Sequence, residues 1–374
     1  MNATHQAIFA PFRLPSGVQL HNRIIMAPMT LTASGIHGEV TDDELLYYRA
    51  RANGLGAVIT SGSFVSQHGK VAQHGFGIDH DALIPGLRKL SAAIQENGTR
   101  AIVQLYHGGR KANPHLVPDG RVIGASAIAG EWDSAVVPHE MTEHEIEQAI
   151  DAFAEATRRA IEAGFDGVEI HGANGFLVQN FFSPHANRRT DRWGGTLEKR
   201  MAFPLEVIQR VNDTVAQHAA APFAVGYRLA PEENEHPGIT MDDTLQFVDV
   251  LTEQSLDYLH VSVDRFWAGP RHDASTATSR VVMIQQRAGS RIPVIGVGGL
   301  LTPEDVGKAL ATGVPLAALG HAIIMNPDWA HLVRSGREHE LKTTISRSAQ
   351  KALAIPDNLW AAIQRRPGWF PFVD

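Results

Sequence analysis

Residues 164–176 read Gly164-Phe165-Asp166-Gly167-Val168-Glu169-Ile170-His171-Gly172-Ala173-Asn174-Gly175-Phe176. Gly167 to His171 is a short, mostly apolar strand, and Gly164 is a natural stop for the helix ahead of it. That helix opens on Thr142-Glu143-His144-Glu145, a capping-box pattern in which Thr and Glu satisfy each other's backbone donors, and it runs to Ala163. The strand then spills into a glycine-containing turn that carries His171 and, three residues on, Asn174. Helix, glycine stop, buried strand and polar turn form the unit of an alternating α/β chain, where ligands bind at the strand ends. Two neutral hydrogen-bonding side chains at one such end suit the oxygen of a carbonyl or nitro group.

The same unit repeats outward along the chain. Expected strands are Arg23 to Ala27, Ala57 to Ser61, Ala101 to Tyr106, Gly167 to His171, Phe223 to Leu229, Tyr258 to Val263, Pro293 to Val297 and Ala317 to Gly320. Between them, helices fit Asp42 to Asn53, Leu83 to Asn97, Thr142 to Ala163, Leu197 to His218, Asp242 to Gln254 and Ser279 to Arg287. Another begins at Thr302-Pro303, an N-cap followed by Pro at N1, and ends near Gly313. Eight strands separated by helices predict a closed (β/α)8 TIM barrel rather than an open sheet. Extra loop length falls after the third, fifth and sixth strands (Gly108 to Met141, Ala230 to Met241, Asp264 to Thr278), the side on which a barrel builds its site. Length does not force a division, so residues 1–374 are read as a single domain with about 340–374 as a C-terminal extension.

Composition narrows the function. A net charge of −7 with both signs interspersed lacks the basic stripe of a nucleic-acid reader. No apolar run is long enough for a membrane span and no signal-peptide pattern opens the chain, so a cytoplasmic location is expected. With Cys 0, disulfides, cysteine nucleophiles and thiolate-held iron–sulfur clusters are excluded, and redox chemistry requires a bound organic cofactor or a metal on N and O ligands. The histidines around His68, His74 and His80 lack ligand spacing, so no metal is expected.

The strand ends read together as chemistry. The first supplies Ala27-Pro28-Met29-Thr30, the second Ser61-Gly62, the third Gln104 and Tyr106, the fourth His171 and Asn174, and the fifth Arg228. The seventh supplies Gly296-Val297-Gly298-Gly299 and the eighth Gly320-His321. Glycines at strand-to-helix turns let backbone amides approach a phosphate, an Arg places charge beside an anionic ring edge, and a Gln amide offers both a donor and an acceptor. That set describes a site for flavin mononucleotide (FMN), with Thr30 reaching a ring carbonyl.

In order along the chain, Asn22-Arg23-Ile24 with Ala27-Pro28-Met29-Thr30, Val103-Gln104-Leu105 with His107-Gly108-Gly109-Arg110, Gly164 to His171, Ser183-Pro184-His185-Ala186-Asn187-Arg188-Arg189-Thr190-Asp191 and Trp193-Gly194-Gly195 resemble the old yellow enzyme family. These are FMN-dependent ene-reductases of the NADH:flavin oxidoreductase type, and the resemblance runs from about Phe9 to beyond Trp329. It implies FMN contacts at Ala27, Pro28, Met29, Thr30, Gly62, Gln104 and Arg228, and a phosphate region at Gly298, Gly320 and His321. It implies that His171 and Asn174 grip the activating oxygen of an electron-poor alkene, such as an enone or maleimide. The implied reaction takes hydride from NADH or NADPH onto the flavin and delivers it to the alkene.

Three departures stand out. Phe176 occupies the position of the Tyr that is the usual proton donor, so the proton is expected from solvent or from Tyr106, which shares a strand face with Gln104. His321 stands where many relatives have a phosphate-binding Arg. Thr30 replaces the Cys of some bacterial members. Trp267 is a candidate substrate cover, and Arg366 is either a solvated tail residue or one that reaches a neighbouring subunit of a homo-oligomer. Two other classes fit parts of this set: an FMN-binding sensor or carrier with altered turnover, motivated by Phe176, and a flavin-free barrel lyase or isomerase using Gly298 and Gly320 for a substrate phosphate.

Overall fold

Short apolar runs that can be buried on both faces pair as parallel strands only when helices cover them, and that arrangement organises this chain. The computed structural model describes residues 3–130, 135–273 and 275–373; residues 131–134 and 274, within two of the expected long loops, and the extreme ends of the 1–374 range lie outside them. Eight strands, β1 (Ile24–Met26), β2 (Ala57–Phe64), β3 (Arg100–Tyr106), β4 (Gly167–Gly172), β5 (Ala224–Leu229), β6 (Tyr258–Val261), β7 (Val294–Gly296) and β8 (Leu316–Leu319), pair in parallel in chain order, and β8 returns to β1 to close the barrel.

The seven expected inter-strand helices are present, at Asp42–Ala52, Ile84–Gln95, Glu143–Glu162, Leu197–His218, Met241–Leu251, Arg280–Ala288 and Pro303–Ala311. The caps follow from the local sequence. Thr142 and Thr302 each complete a capping box, with Glu145 and Asp305 respectively. Among the described residues no helix is long and apolar enough to cross a membrane.

Side chains alternate along each strand, so every second residue points into the barrel. At the N-terminal end the inward layer is apolar, with Ile25, Ile59, Ile102, Ala224, Ile295 and Leu316 packed beneath the hairpin of Phe12–Arg13 and Gln19–Leu20. Gly226 has no side chain because the Tyr258 ring takes its place: a Cβ there would lie 2.1 Å from that ring. One layer higher the inward residues become polar: Gln104, Glu169, Arg228 and His260, all buried. Parallel pairing sets Gln104 opposite Glu169 and places Arg228 opposite His171 on one side and His260 on the other.

The loops differ from expectation in one respect. Long segments also follow β2, with a short strand at Phe76–Gly77, and β4, with a short helix at Leu177–Phe182. The β4 segment is tied to the β3 segment by Arg189, whose Nη1 donates to the carbonyls of Ala125 and Met141, and to the helix after it by Trp193 Nε1 donating to Glu143. The tail forms a helix at Asp357–Arg365 and folds back on its own barrel, with Asn358 Nδ2 donating to the Thr32 carbonyl at 2.6 Å and Phe372 bridging to Ile345.

Glu44, on the helix after β1, closes a capping box with Thr41 and accepts the Ser34 hydroxyl at 2.8 Å, yet it is only 1% exposed. Burial raises its carboxyl to about 7. The folded state therefore holds this proton more tightly than the unfolded chain, so the contribution to stability is full below the ordinary carboxylate range and is lost as pH rises through about 7. The loss amounts to roughly 3 kcal/mol. Thermal unfolding between pH 5 and 8 should show this decline in the wild type and a flatter profile in Glu44→Gln.

Candidate active site

At the C-terminal end of the strands lies a cavity of about 450 Å³. Its floor is set by strand register: Gln104 and Tyr106 rise from β3, His171 from β4 and Arg228 from β5. The turns beyond β1, β2 and β4 add Pro28, Met29, Thr30, Gly62, Asn174 and Phe176. These ten sequence-predicted residues are therefore brought to one place.

Electrostatics define what the floor can bind. Burial first, then the Arg228 charge, with His260 and Lys111 acting in the same direction, holds the His171 imidazole well below its usual range. A neutral ring at working pH is a hydrogen-bond donor that carries no charge. Arg228 is buried with no partner for its Nε, and His171 Nδ1 is likewise unpaired among the described residues. Buried polar atoms cost free energy unless they are satisfied, and these two belong to residues that line the cavity.

Asn174 adopts a left-handed backbone with φ 57, which Asn tolerates better than most residues. Two contacts hold it there: Lys111 Nζ donates to its carbonyl at 2.7 Å, and Ser262 Oγ donates to its Oδ1 at 3.0 Å. Its oxygen is thereby engaged, which leaves the amide N–H groups for a ligand. Phe176 packs between two candidate groups, with its ring centroid 5.0 Å from that of Tyr106 and 4.8 Å from that of His171. Burial raises the Tyr106 phenol above its usual range, opposed by a hydrogen bond with the Val71 backbone, so the phenol keeps its proton.

A second cavity of about 830 Å³ adjoins the first, sharing Pro28, Lys111, Asn174 and Arg228, and extends to Val297 at the end of β7. Gly298 follows directly, with φ +120 and a built Cβ only 2.6 Å from the Phe266 backbone nitrogen, so no side chain fits. Gly320 packs where a Cβ would lie 3.4 Å from Met29 Sδ, while Ala27 is buried in the inner core. His321 faces the tail, 4.4 Å from the Phe370 ring centroid. Trp267 is 51% exposed, packs edge-on against Phe266 and is not brought to either cavity.

The structure adds residues that the sequence reading left out. Lys111 lines both cavities, and Arg366, exposed as the solvated-tail expectation had it, also lines the wall of its own chain's site. Glu169 and His260 lie directly beneath. The signal for Glu169 was available: a charged residue inside an otherwise apolar buried strand is rarely tolerated without a partner.

A cationic guanidinium, an amide, a hydroxyl and glycine turns at β7 and β8 fit a phosphorylated, polar-edged ring, and the unpaired Arg228 and His171 atoms point to such a ligand. The fold and cavity thus define a flavin-dependent barrel oxidoreductase. Residues 7–340 match the NADH:flavin oxidoreductase / NADH oxidase family, and the chain belongs to it. It is 43% identical over 374 residues to the probable NADH-dependent flavin oxidoreductase YqiG of Bacillus subtilis, covering 100% of both chains. It is 42% identical to the NADH:acrylate oxidoreductase of Vibrio harveyi, covering 92% of this chain but only 34% of that longer protein. Among solved structures, the old yellow enzyme of Trypanosoma cruzi superposes with a TM-score of 0.77 at 29% identity, covering 89% of this chain and 93% of the other. The protein is an NAD(P)H-dependent flavin oxidoreductase that uses FMN. The flavin-free lyase or isomerase reading falls with that membership.

Gly298→Ala should cost about 1–3 kcal/mol from its backbone conformation alone, with the clash added to that. Thermal unfolding and the FMN-to-protein ratio after purification measure the effect; unchanged values for both would remove this turn from the cofactor site.

Proposed function

We propose that this protein is an ene-reductase that reduces the activated C=C bond of enones, maleimides or related electron-poor alkenes. The observation that carries the reading is the neutral, partly unpaired His171 beside Asn174 at the cavity floor. FMN, when bound, supplies the two-electron carrier between NADH or NADPH and the alkene. Pro28, Met29, Thr30, Gly62, Gln104 and Arg228 would hold its ring, and the turns at Gly298 and Gly320 its phosphate. Ala27 would support the first of these contacts from below, and His321 the last.

His171 and Asn174 donate to the activating oxygen. As negative charge develops there during reduction, two preorganised donors in a buried site stabilise it without reorientation, each worth about 10²–10³ in rate. Lys111 and Ser262 hold Asn174 in its left-handed conformation, so its donor is set before the substrate arrives. A proton must also reach the α-carbon. Phe176 has none to give, and the neighbouring Tyr106 phenol, protonated and in the cavity wall, is the donor we assign, with solvent as the competing source. The Vibrio relative named for acrylate supports an electron-poor alkene as the substrate class.

Phe176 also supports a second reading, in which the protein passes electrons onward without protonating carbon. Reduction by NADH followed by reoxidation with cyclohexenone or N-methylmaleimide separates the two: saturated product supports the ene-reductase, and reoxidation only by electron acceptors overturns it. His171→Ala and Asn174→Ala should each lower kcat/KM by about 10²–10³. Because His171 is already neutral, the wild-type rate should show no inflection near pH 6.5 that His171→Asn abolishes. Tyr106→Phe should lower turnover by about 10²–10⁴ and Phe176→Tyr should restore it; a loss under threefold in Tyr106→Phe would give the proton to solvent.

A further inference from the structure

We propose that Glu169 and His260, buried in the layer beneath the cavity, are positioning residues that fix the orientation of the Gln104 amide and set the charge under the flavin, so that they govern the preference for reduced over oxidised FMN. This goes beyond the alkene reading and rests only on FMN binding.

The geometry is closed. Gln104 Nε2 donates to Glu169 Oε1 at 2.7 Å, and His260 Nδ1 meets Glu169 Oε2 at 2.9 Å. Gln104 is 2% exposed and the other two are 0%. An ionised carboxylate only accepts hydrogen bonds, so it selects the NH2 end of the amide and turns the oxygen away. That oxygen lies 3.2 Å from the built Cβ of Gly62, a wall residue of the cavity. Glu169 therefore presents Gln104 upward as an acceptor, the partner that the ring N–H of a pyrimidine edge requires. With the amide reversed, its oxygen would face the carboxylate.

The charges follow from the same contacts. Burial pushes the Glu169 carboxyl up, but His260 and Arg228 more than reverse this and hold it below the usual carboxylate range. Burial, joined by the Arg228 charge, lowers the His260 imidazole against the opposing pull of Glu169, which favours the neutral ring, and because an ionised carboxylate can only accept, the Nδ1 proton is the one given to Glu169. Its Nε2 has no partner among the described residues. The layer thus holds one negative group, Glu169, and one positive group, Arg228. An anionic reduced ring above it is attracted by Arg228 and repelled by Glu169, and the low dielectric of the interior strengthens both effects. A carboxylate that served packing alone would leave the cofactor's preference unchanged when replaced by its isostere.

The test uses the FMN-loaded protein, with anaerobic dye equilibration for the reduction potential and fluorescence titration of the apoprotein for FMN affinity. Glu169→Gln should raise the affinity for reduced relative to oxidised FMN at least tenfold, a positive shift of about 30 mV for a two-electron couple. His260→Leu should move the potential the same way, because the carboxyl loses its donor and takes a proton. Gln104→Leu should weaken oxidised FMN at least tenfold. If Glu169→Gln does not fold, His260→Leu decides the charge effect alone. A potential shifted by less than the threefold equivalent in the folded variants overturns the charge role, and unchanged FMN affinity in Gln104→Leu overturns the orienting role. Alkene turnover enters none of these readouts, so failure here is distinct from failure of the ene-reductase reading.

Discussion

A carboxylate sealed inside a barrel is unfavourable by several kcal/mol unless both oxygens are hydrogen-bonded and its charge is balanced nearby. Glu169 meets that condition with Gln104 on one neighbouring strand, His260 two strands away and the charge of Arg228 on the strand between. Meeting it commits four strands to one register. A slip of one residue in β3 would turn Gln104 outward and leave Glu169 short of a donor. The residues that line the cavity, Tyr106, His171 and Arg228, are the same or next inward positions on those strands, so the constraint that satisfies the buried layer also places the candidate site.

This explains why so much was legible in the chain. Barrel strands declare themselves as short apolar runs after glycine stops, and the helices carry capping boxes whose pairs are local in sequence, as at Thr142 with Glu145. Strand periodicity then assigns facing residues by parity: once Gln104 points inward, so does Tyr106, and once His171 does, so does Glu169. The glycine at 298 was readable for a similar reason, since a positive φ packed against backbone admits no other residue.

What was not legible depends on contacts between distant segments. The long excursions after β2 and β4 are held by groups such as Arg189, which binds carbonyls at 125 and 141, and no local pattern announces those partners. The tail has the same character. Asn358 reaches the Thr32 carbonyl across nearly the whole chain, and this docking carries Arg366 to the cavity wall. The sequence marked the segment as a C-terminal extension, and nothing local in it states where it lies. Trp267 shows the reverse case: a loop aromatic after a barrel strand suggested a lid, and packing against Phe266 leaves it at the surface.

The neutral state of His171 ties the layers together. Arg228 must be cationic to balance Glu169 and to attract an anionic ring, and that charge, with burial, prevents the imidazole from also holding a proton. A Lys in its place would be charged beside Arg228 or neutralised at further expense, and an Asn would extend less far into the cavity from the same strand position. Histidine is long, neutral under these conditions and still a donor. On the ene-reductase reading we propose, the cationic floor requires a neutral grip on the substrate oxygen, and the α-carbon must then be protonated by another group. Phe176 cannot do so, which leaves that task to the phenol packed against it or to water entering the same cavity.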